Sequence, residues 1–262
     1  MRVPGQANSA SVLQIGQGVR QRIMDGNSLN HVDDETGLDN AAEALLDSVF
    51  AEPSAARIPV IAVTGTNGKI TTTRMIAYIF RQAGLKTGLV SSEGITIGGQ
   101  QVSHGDSGLF AGHCRVLTDP AIEAAALETH HRGIVVRGFA FDDCDVGICL
   151  NVSPDHIARG EIETMAEMED VKAAVPERAS KAAILFADDS HCRAANAHWF
   201  ARNSMPRWCY YAATSATCRH AGKTVRSNPL NTPLACSKSS PLTTTKTSRP
   251  DSGWRQKSTT AC

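Results

Sequence analysis

No apolar run among the 262 residues approaches the roughly 20 that a membrane-crossing helix needs. The N-terminus also lacks the basic-then-apolar order of a secretory leader. These two absences predict a cytoplasmic protein with no membrane partner. Cysteine pairing of the zinc or redox kind is missing too, because Cys114, Cys144, Cys149, Cys192, Cys209, Cys218, Cys236 and Cys262 form no C-x-x-C pair. The thiols therefore read as buried ones. His113 beside Cys114, and the pair His130-His131, lack a second spaced pair and read as loop residues rather than metal ligands. Acidic side chains almost vanish from the last 60 or so residues, where Asp251 stands against about nine Lys and Arg, so the net charge of zero averages an acidic body and a basic tail. The tail has neither aromatic interleaving nor a basic helical stripe, and no nucleic-acid partner is expected.

What is present is an apolar fraction of 42%, enough for one substantial core in one or two domains. Between about residues 56 and 190, strand and helix patterns alternate with short turns, which predicts an α/β fold: a mainly parallel sheet with helices on both faces. A β-branched run at 58–63 reads as a buried strand, and 71–83 as a helix keeping Met75, Ile76, Ile79 and Phe80 at helical spacing before Gly84 stops it. A strand at 86–91 follows. Asp119-Pro120 reads as the cap and first residue of a further helix leading into a small strand at 124–127 that ends at Glu128. The apolar run 145–152 ends at Asn151 before Ser153-Pro154-Asp155-His156. A helix at 164–177 carries Met165, Met168, Val171 and Val175 on one face, with Lys172 beside it, and a strand is expected at 181–187. The polar groups all fall just past the carboxyl ends of expected strands, where open α/β sheets place their ligand crevice.

The centre of this pattern is Gly65-Thr66-Asn67-Gly68-Lys69, set between an apolar strand and an amphipathic helix. Two glycines allow tight backbone geometry, helix N–H groups face an anion, and one lysine reaches over it: this is the local design of a phosphate cradle. It is shorter than the common G-x-x-x-x-G-K-S/T form, since Val63 stands five residues before Gly68.

The string instead resembles the G-T-N-G-K-S/T loop of the Mur ligase family. Stretches 57–69, 93–99, 116–129 and 138–156 resemble the Mur-type half of the cyanophycin synthetases, with Asp119-Pro120, Leu127-Glu128-Thr129, Phe141-Asp142-Asp143-Cys144-Asp145-Val146-Gly147 and Asn151-Val152-Ser153-Pro154-Asp155-His156 in the family's order. The resemblance implies the Mur ligase central domain over 41–202, preceded at 1–40 by an irregular remnant of the segment before an ATP-grasp domain. It also implies ATP and Mg2+ as cofactors and amide ligation through an acyl phosphate. The expected substrates are an aspartyl peptide or cyanophycin acceptor and arginine, and an oligomer is compatible with it. By resemblance Gly65, Thr66, Asn67, Gly68, Lys69 and Thr71 bind the nucleotide, Lys69, Glu128, His156 and Lys172 serve catalysis, and Glu128 and His156 hold a metal ion. Lys172 occupies the position of a carbamylated lysine; an ordinary surface lysine is the other reading.

Several positions depart from the family pattern. Ile70 stands where a Ser or Thr hydroxyl holds magnesium, and isoleucine has no donor oxygen. Thr71 is adjacent but turned about 100° around the helix. The family's Ala-Arg-Gly-Gly run is His130-His131-Arg132-Gly133 here, its Asp-x-x-Gly-Pro stretch is shortened to Asp106-Ser107-Gly108, and Phe186 replaces an Asn. The region 203–262, rich in Ser, Thr and Pro with no period of 2 or 3.6, is expected to be disordered. It reads as translation in a shifted frame, and the join near residue 40 as an internal deletion. Two functions stay open: a ligase impaired at Ile70, and a non-catalytic ATP-binding remnant.

Overall fold

The structure is a computed structural model and describes residues 12–25, 56–155, 157, 162–192, 207–211, 216–220 and 223–227. Strands β1 (Val12–Ile15) and β2 (Arg22–Asp25) pair antiparallel as a separate ribbon. The main sheet holds β3 (Val60–Thr64), β4 (Thr87–Ser91), β5 (Gly94–Ile97), β6 (Gln100–His104), β7 (Ala124–Glu128), β8 (Cys144–Cys149), β9 (Ala179–Phe186), β10 (Arg207–Tyr211), β11 (Ala216–His220) and β12 (Lys223–Ser227). Its order is β12-β11-β10-β9-β8-β3-β7-β4-β5-β6. The six strands from β10 to β4 in that order run parallel, and antiparallel pairs finish both edges. Four α-helices are described: α1 (Lys69–Gln82), α2 (Phe110–Leu117), α3 (His131–Arg137) and α4 (Met165–Glu177).

The predicted mainly parallel sheet with helices on both faces is the observed fold, and the core shows why. Leu89 and Ala126 pack with Ala77 of α1 on one face. The alternate residues Val90, Ala125 and Leu127 pack with Val116 of α2 and Val175 of α4 in another cluster. A strand covered on both sides reads as an apolar run, and every residue of β7 is buried, Ala124 to Leu127 apolar and its last residue, Glu128, the exception. Each fully buried Val or Leu contributes about 1.5–3 kcal/mol. Met168 lies in a third cluster with Cys149, Val152, Leu185 and Cys192, so the methionines are core, as their spacing suggested.

Four expectations are corrected. Asp119-Pro120 opens no helix: only a turn fits before β7 starts, with Asp119 Oδ1 accepting from Ala121 N at 2.9 Å. His113 and Cys114 lie on α2, and His131 begins α3, rather than lining loops. The segment 12–25 is not irregular: it forms the β1–β2 ribbon, and its turn docks on the body where Val19 N donates to Ile122 O at 2.8 Å. The stretch 207–227 was expected without regular structure but supplies β10–β12, because runs such as Trp208-Cys209-Tyr210-Tyr211 have the aromatic and β-branched content that favours pleated backbone.

The backbone of α4 lies close against the sheet at Gly147 of β8. A Cβ there would lie 2.6 Å from Val175 O and 2.7 Å from Pro176 Cα, both backbone atoms. Gly147→Ala is expected to destabilise the fold by about 1–3 kcal/mol through overpacking, read as a lowered urea midpoint with unchanged slope.

Candidate active site

Three neighbouring parallel strands end together. Register places Val63 of β3 beside Glu128 of β7, and Thr64 beside Cys149 of β8. The glycine loop leaving β3 therefore rises between the ends of β7 and β8. Gly65 and Gly68 sit at φ of +147° and +84°, the latter starting α1, in backbone conformations that side chains rarely adopt. A Cβ on Gly65 would also meet Leu150 Cβ at 2.9 Å.

Asn151 holds the loop. Its Oδ1 accepts from Thr66 N at 3.0 Å and Asn67 N at 2.8 Å, while its Nδ2 donates to Asn67 O at 3.1 Å. Thr66 gathers the rest: Ser153 N donates to its Oγ1 at 2.9 Å, Lys172 Nζ donates to the same oxygen at 2.6 Å, and Lys69 Nζ donates to its carbonyl at 2.9 Å. The amides of the first helical turn have no carbonyl partner within α1, so this end of the helix favours an anion.

Lys172 is only 2% exposed, which removes the reading of an ordinary surface lysine. The capping box of Thr164 and Glu167 starts α4 and sets the register that turns Lys172 inward beside Met168 and Val175. Burial pulls its amine down to about 8, with Lys69 adding to the fall and Cys149, Cys192 and Asp189 opposing it. Burial also lowers Lys69, against the pull of Glu128, Asp106 and Asp155.

Glu128 is wholly buried at the end of β7. Ser92 N donates to Oε2 at 2.8 Å, Ser92 Oγ to Oε1 at 2.9 Å, and His130 Nε2 lies 2.9 Å from Oε1. Burial alone would raise this carboxyl, but the hydrogen bonds from His130 and Ser92 outweigh it and keep the group below its ordinary value. The site therefore holds an ionised carboxylate and two lysines around one glycine loop. His113, on α2, supports the same strand from behind with Nε2 2.8 Å from Glu128 O.

In the structure Gly65, Thr66, Asn67, Gly68, Lys69, Glu128 and Lys172 lie together around the loop. Thr71 is exposed and Ile70 half-buried in the first turn of α1. His156 lies outside the described residues. Ser92 and the contact of His130 with Glu128 were not expected from sequence. His130 was visible as a departure from a pattern and as half of a pair read as loop residues, and nothing about Ser92 marked it. Among the described residues no three or more His, Cys, Asp or Glu side chains gather as a ready metal cage. An ionised, buried Glu128 nevertheless suits a hard cation that takes its other ligands from phosphate and water.

A family model described as the Mur ligase middle domain matches residues 63–234. The chain belongs to that family. It is 45% identical over 163 residues to a cyanophycin synthetase of Crocosphaera subtropica, a match covering 61% of this chain and 19% of the relative. A cyanophycin synthetase of Synechocystis is 44% identical over 162 residues, with 61% and 19% covered. A UDP-N-acetylmuramoyl-L-alanyl-D-glutamate–2,6-diaminopimelate ligase of Geobacillus kaustophilus is 30% identical over 161 residues, with 57% and 32% covered. The chain spans about a fifth of the length of the cyanophycin synthetases it matches. A solved structure of a ligase of the same diaminopimelate-adding kind aligns at TM-score 0.46 and 21% identity, over 75% of this chain and 42% of that one. No helix among the described residues is long and apolar enough to cross a membrane.

The buried lysine leaves a signature in stability. Its charged form is penalised only in the folded state, so between pH 8 and its unfolded value of 10.5 the unfolded chain binds more protons. Stability from this residue therefore rises with pH across that window, and below it the penalty is fully present. Lys172→Met is expected to raise the urea midpoint at pH 7 and to flatten the rise between pH 8 and 10.5, measured as the difference from the unmodified chain.

Proposed function

We propose that this Mur ligase middle domain binds ATP for acid–amino acid ligation of the cyanophycin synthetase type, joining arginine to an aspartate side-chain carboxylate. The observation that carries the reading is the glycine loop with Lys69 and Lys172 converging on Thr66, next to the ionised, buried Glu128. The two cyanophycin synthetases at 44–45% identity support the choice of substrates.

In this reading the acceptor carboxylate oxygen attacks the γ-phosphorus of ATP, and ADP departs with the electron pair of the broken P–O bond. The amine nitrogen of arginine then attacks the acyl carbon, phosphate leaves, and the amine proton passes to solvent or a base. Lys69 lies over the loop and screens the repulsion between carboxylate and polyphosphate. Loop amides orient the phosphates, and Asn151 keeps the loop from collapsing. Glu128, with His156 expected beside it, would hold a Mg2+ ion, which when bound neutralises phosphate charge. Lys172 has an amine lowered enough to be partly neutral near pH 8, as uptake of carbon dioxide with loss of a proton requires. The carbamate would turn a cation into an anion facing the nucleotide. A cytoplasmic setting is the one in which ATP and these substrates meet.

Ile70 favours a second reading, a domain that binds nucleotide without turning it over, because its side chain supplies no oxygen where the family has a hydroxyl. Release of ADP and phosphate that requires both an aspartyl acceptor and arginine supports the ligase. Nucleotide binding with no such release supports the second reading. We expect weak ATP binding and little ligation, and robust arginine incorporation by this chain alone would contradict impairment. Ile70→Thr is expected to tighten Mg2+-dependent ATP binding about tenfold, read by calorimetric titration.

A further inference from the structure

We propose that Cys149 and Cys192 are a redox modification site: hydrogen peroxide joins them in a disulfide that staples the segment bracing the glycine loop, and a thiol reductant reopens it. The two residues stand 43 positions apart and belong to no C-x-x-C motif, so only the fold brings them together. Cys149 ends β8, Cys192 follows β9, and both are wholly buried and reduced. Their sulfurs lie 3.4 Å apart. A bond of about 2.05 Å asks each sulfur to move by about 0.7 Å, which rotation about the two Cα–Cβ bonds supplies.

The two backbones are already tied beside the sulfurs. Asp189 Oδ1 accepts from Cys192 N at 2.9 Å and His191 N at 2.8 Å, and its Oδ2 accepts from Val152 N at 2.9 Å. The segment from Cys149 to Val152 also carries the loop, since Leu150 N donates to Thr64 O at 3.0 Å and Asn151 Oδ1 accepts from Thr66 N and Asn67 N. A covalent link at Cys149 therefore fixes the base of that brace. Cys144, buried at the other end of β8, is the built-in control.

Burial sets how fast the bond forms, and contact sets what forms. Contact with Cys149 and burial both push the Cys192 thiol up, so Cys192 keeps its proton and Cys149 supplies the attacking sulfur. Peroxide, a molecule little larger than water, reaches it through local opening. The Cys149 sulfur attacks one peroxide oxygen, the O–O bond breaks, and the departing hydroxide takes the Cys149 proton as water, leaving a sulfenic acid. The Cys192 sulfur then attacks the sulfenic sulfur, the S–O bond breaks, and hydroxide leaves with the Cys192 proton as a second water. Two thiols lose two electrons and one peroxide gains them. Because the partner thiol is already in contact, the sulfenic acid is resolved before a second peroxide arrives, and oxidation stops at the disulfide.

The test uses the full chain, reduced with dithiothreitol, freed of it, treated with hydrogen peroxide, alkylated and digested with trypsin. Mass spectrometry is expected to find the peptides 138–159 and 182–193 joined, with the bond at Cys149 rather than Cys144, and separate again after dithiothreitol. The urea midpoint of the oxidised chain is expected to rise, because the bond closes a long loop in the unfolded state. Cys192→Ala, treated in the same way, is expected to show neither the joined peptides nor the rise. Recovery of Cys149 and Cys192 both alkylated after peroxide, or of Cys149 joined to another cysteine, overturns the proposal. A Cys149–Cys192 bond that leaves the midpoint unchanged or lowers it overturns the staple. Peptide mapping is done on the unmodified chain, so it decides even where Cys192→Ala fails to fold.

Discussion

The side chain of Asn151 carries the geometry of this site. One oxygen accepts from two successive loop amides while the amide nitrogen returns a bond to the loop, so the chain leaving β8 and the chain leaving β3 are locked as a pair. A glycine loop has the largest conformational entropy to lose, and an unbraced one would sample many shapes, each presenting its amides differently. Parallel pairing makes the brace possible. Because β8 and β3 run the same way with Thr64 opposite Cys149, the residue two places after β8 arrives beside the second loop residue. The third strand, β7, delivers Glu128 to the same level by the same rule.

Electrostatics follows from that placement. Lys69 and Lys172 both reach Thr66, one at its carbonyl and the other at its hydroxyl, and burial makes each a weaker base than a lysine in water. Two cations so close and so poorly solvated raise the cost of the empty site and lower the cost of bringing a polyanion to it. Glu128 acts in the opposite sense. Ser92 and His130 stabilise its charge, which keeps an anion at the end of β7 within the field of Lys69.

The sheet was legible because apolar alternation and short turns are local signals, and the buried runs at β3, β4, β7 and β8 carry them plainly. Glycine spacing made the loop legible for the same reason, since only a few residue types tolerate its backbone. The β5–β6 hairpin and helices α2 and α3 were not legible: β6 is almost wholly exposed, and α3 has seven residues including a glycine, so neither holds a period long enough to read. The edge strands β10–β12 were hidden because each is a five-residue run set in a Ser-, Thr- and Pro-rich stretch whose average composition resembles a loop. Lys172 was placed on the right helix but its burial was not readable, for burial depends on what α4 packs against.

Departures from a family pattern are individually ambiguous, and their meaning here comes from distance. His130 lies 24 residues beyond Asp106 in the chain. A histidine at 130 alone suggests drift, as does a shortened turn at 106–108. In the fold the turn yields the space the ring occupies, the ring touches the carboxylate, and Ser92 from a third segment touches both. His130 therefore acts on the charge of Glu128, which its place in the chain, next to His131, could not show.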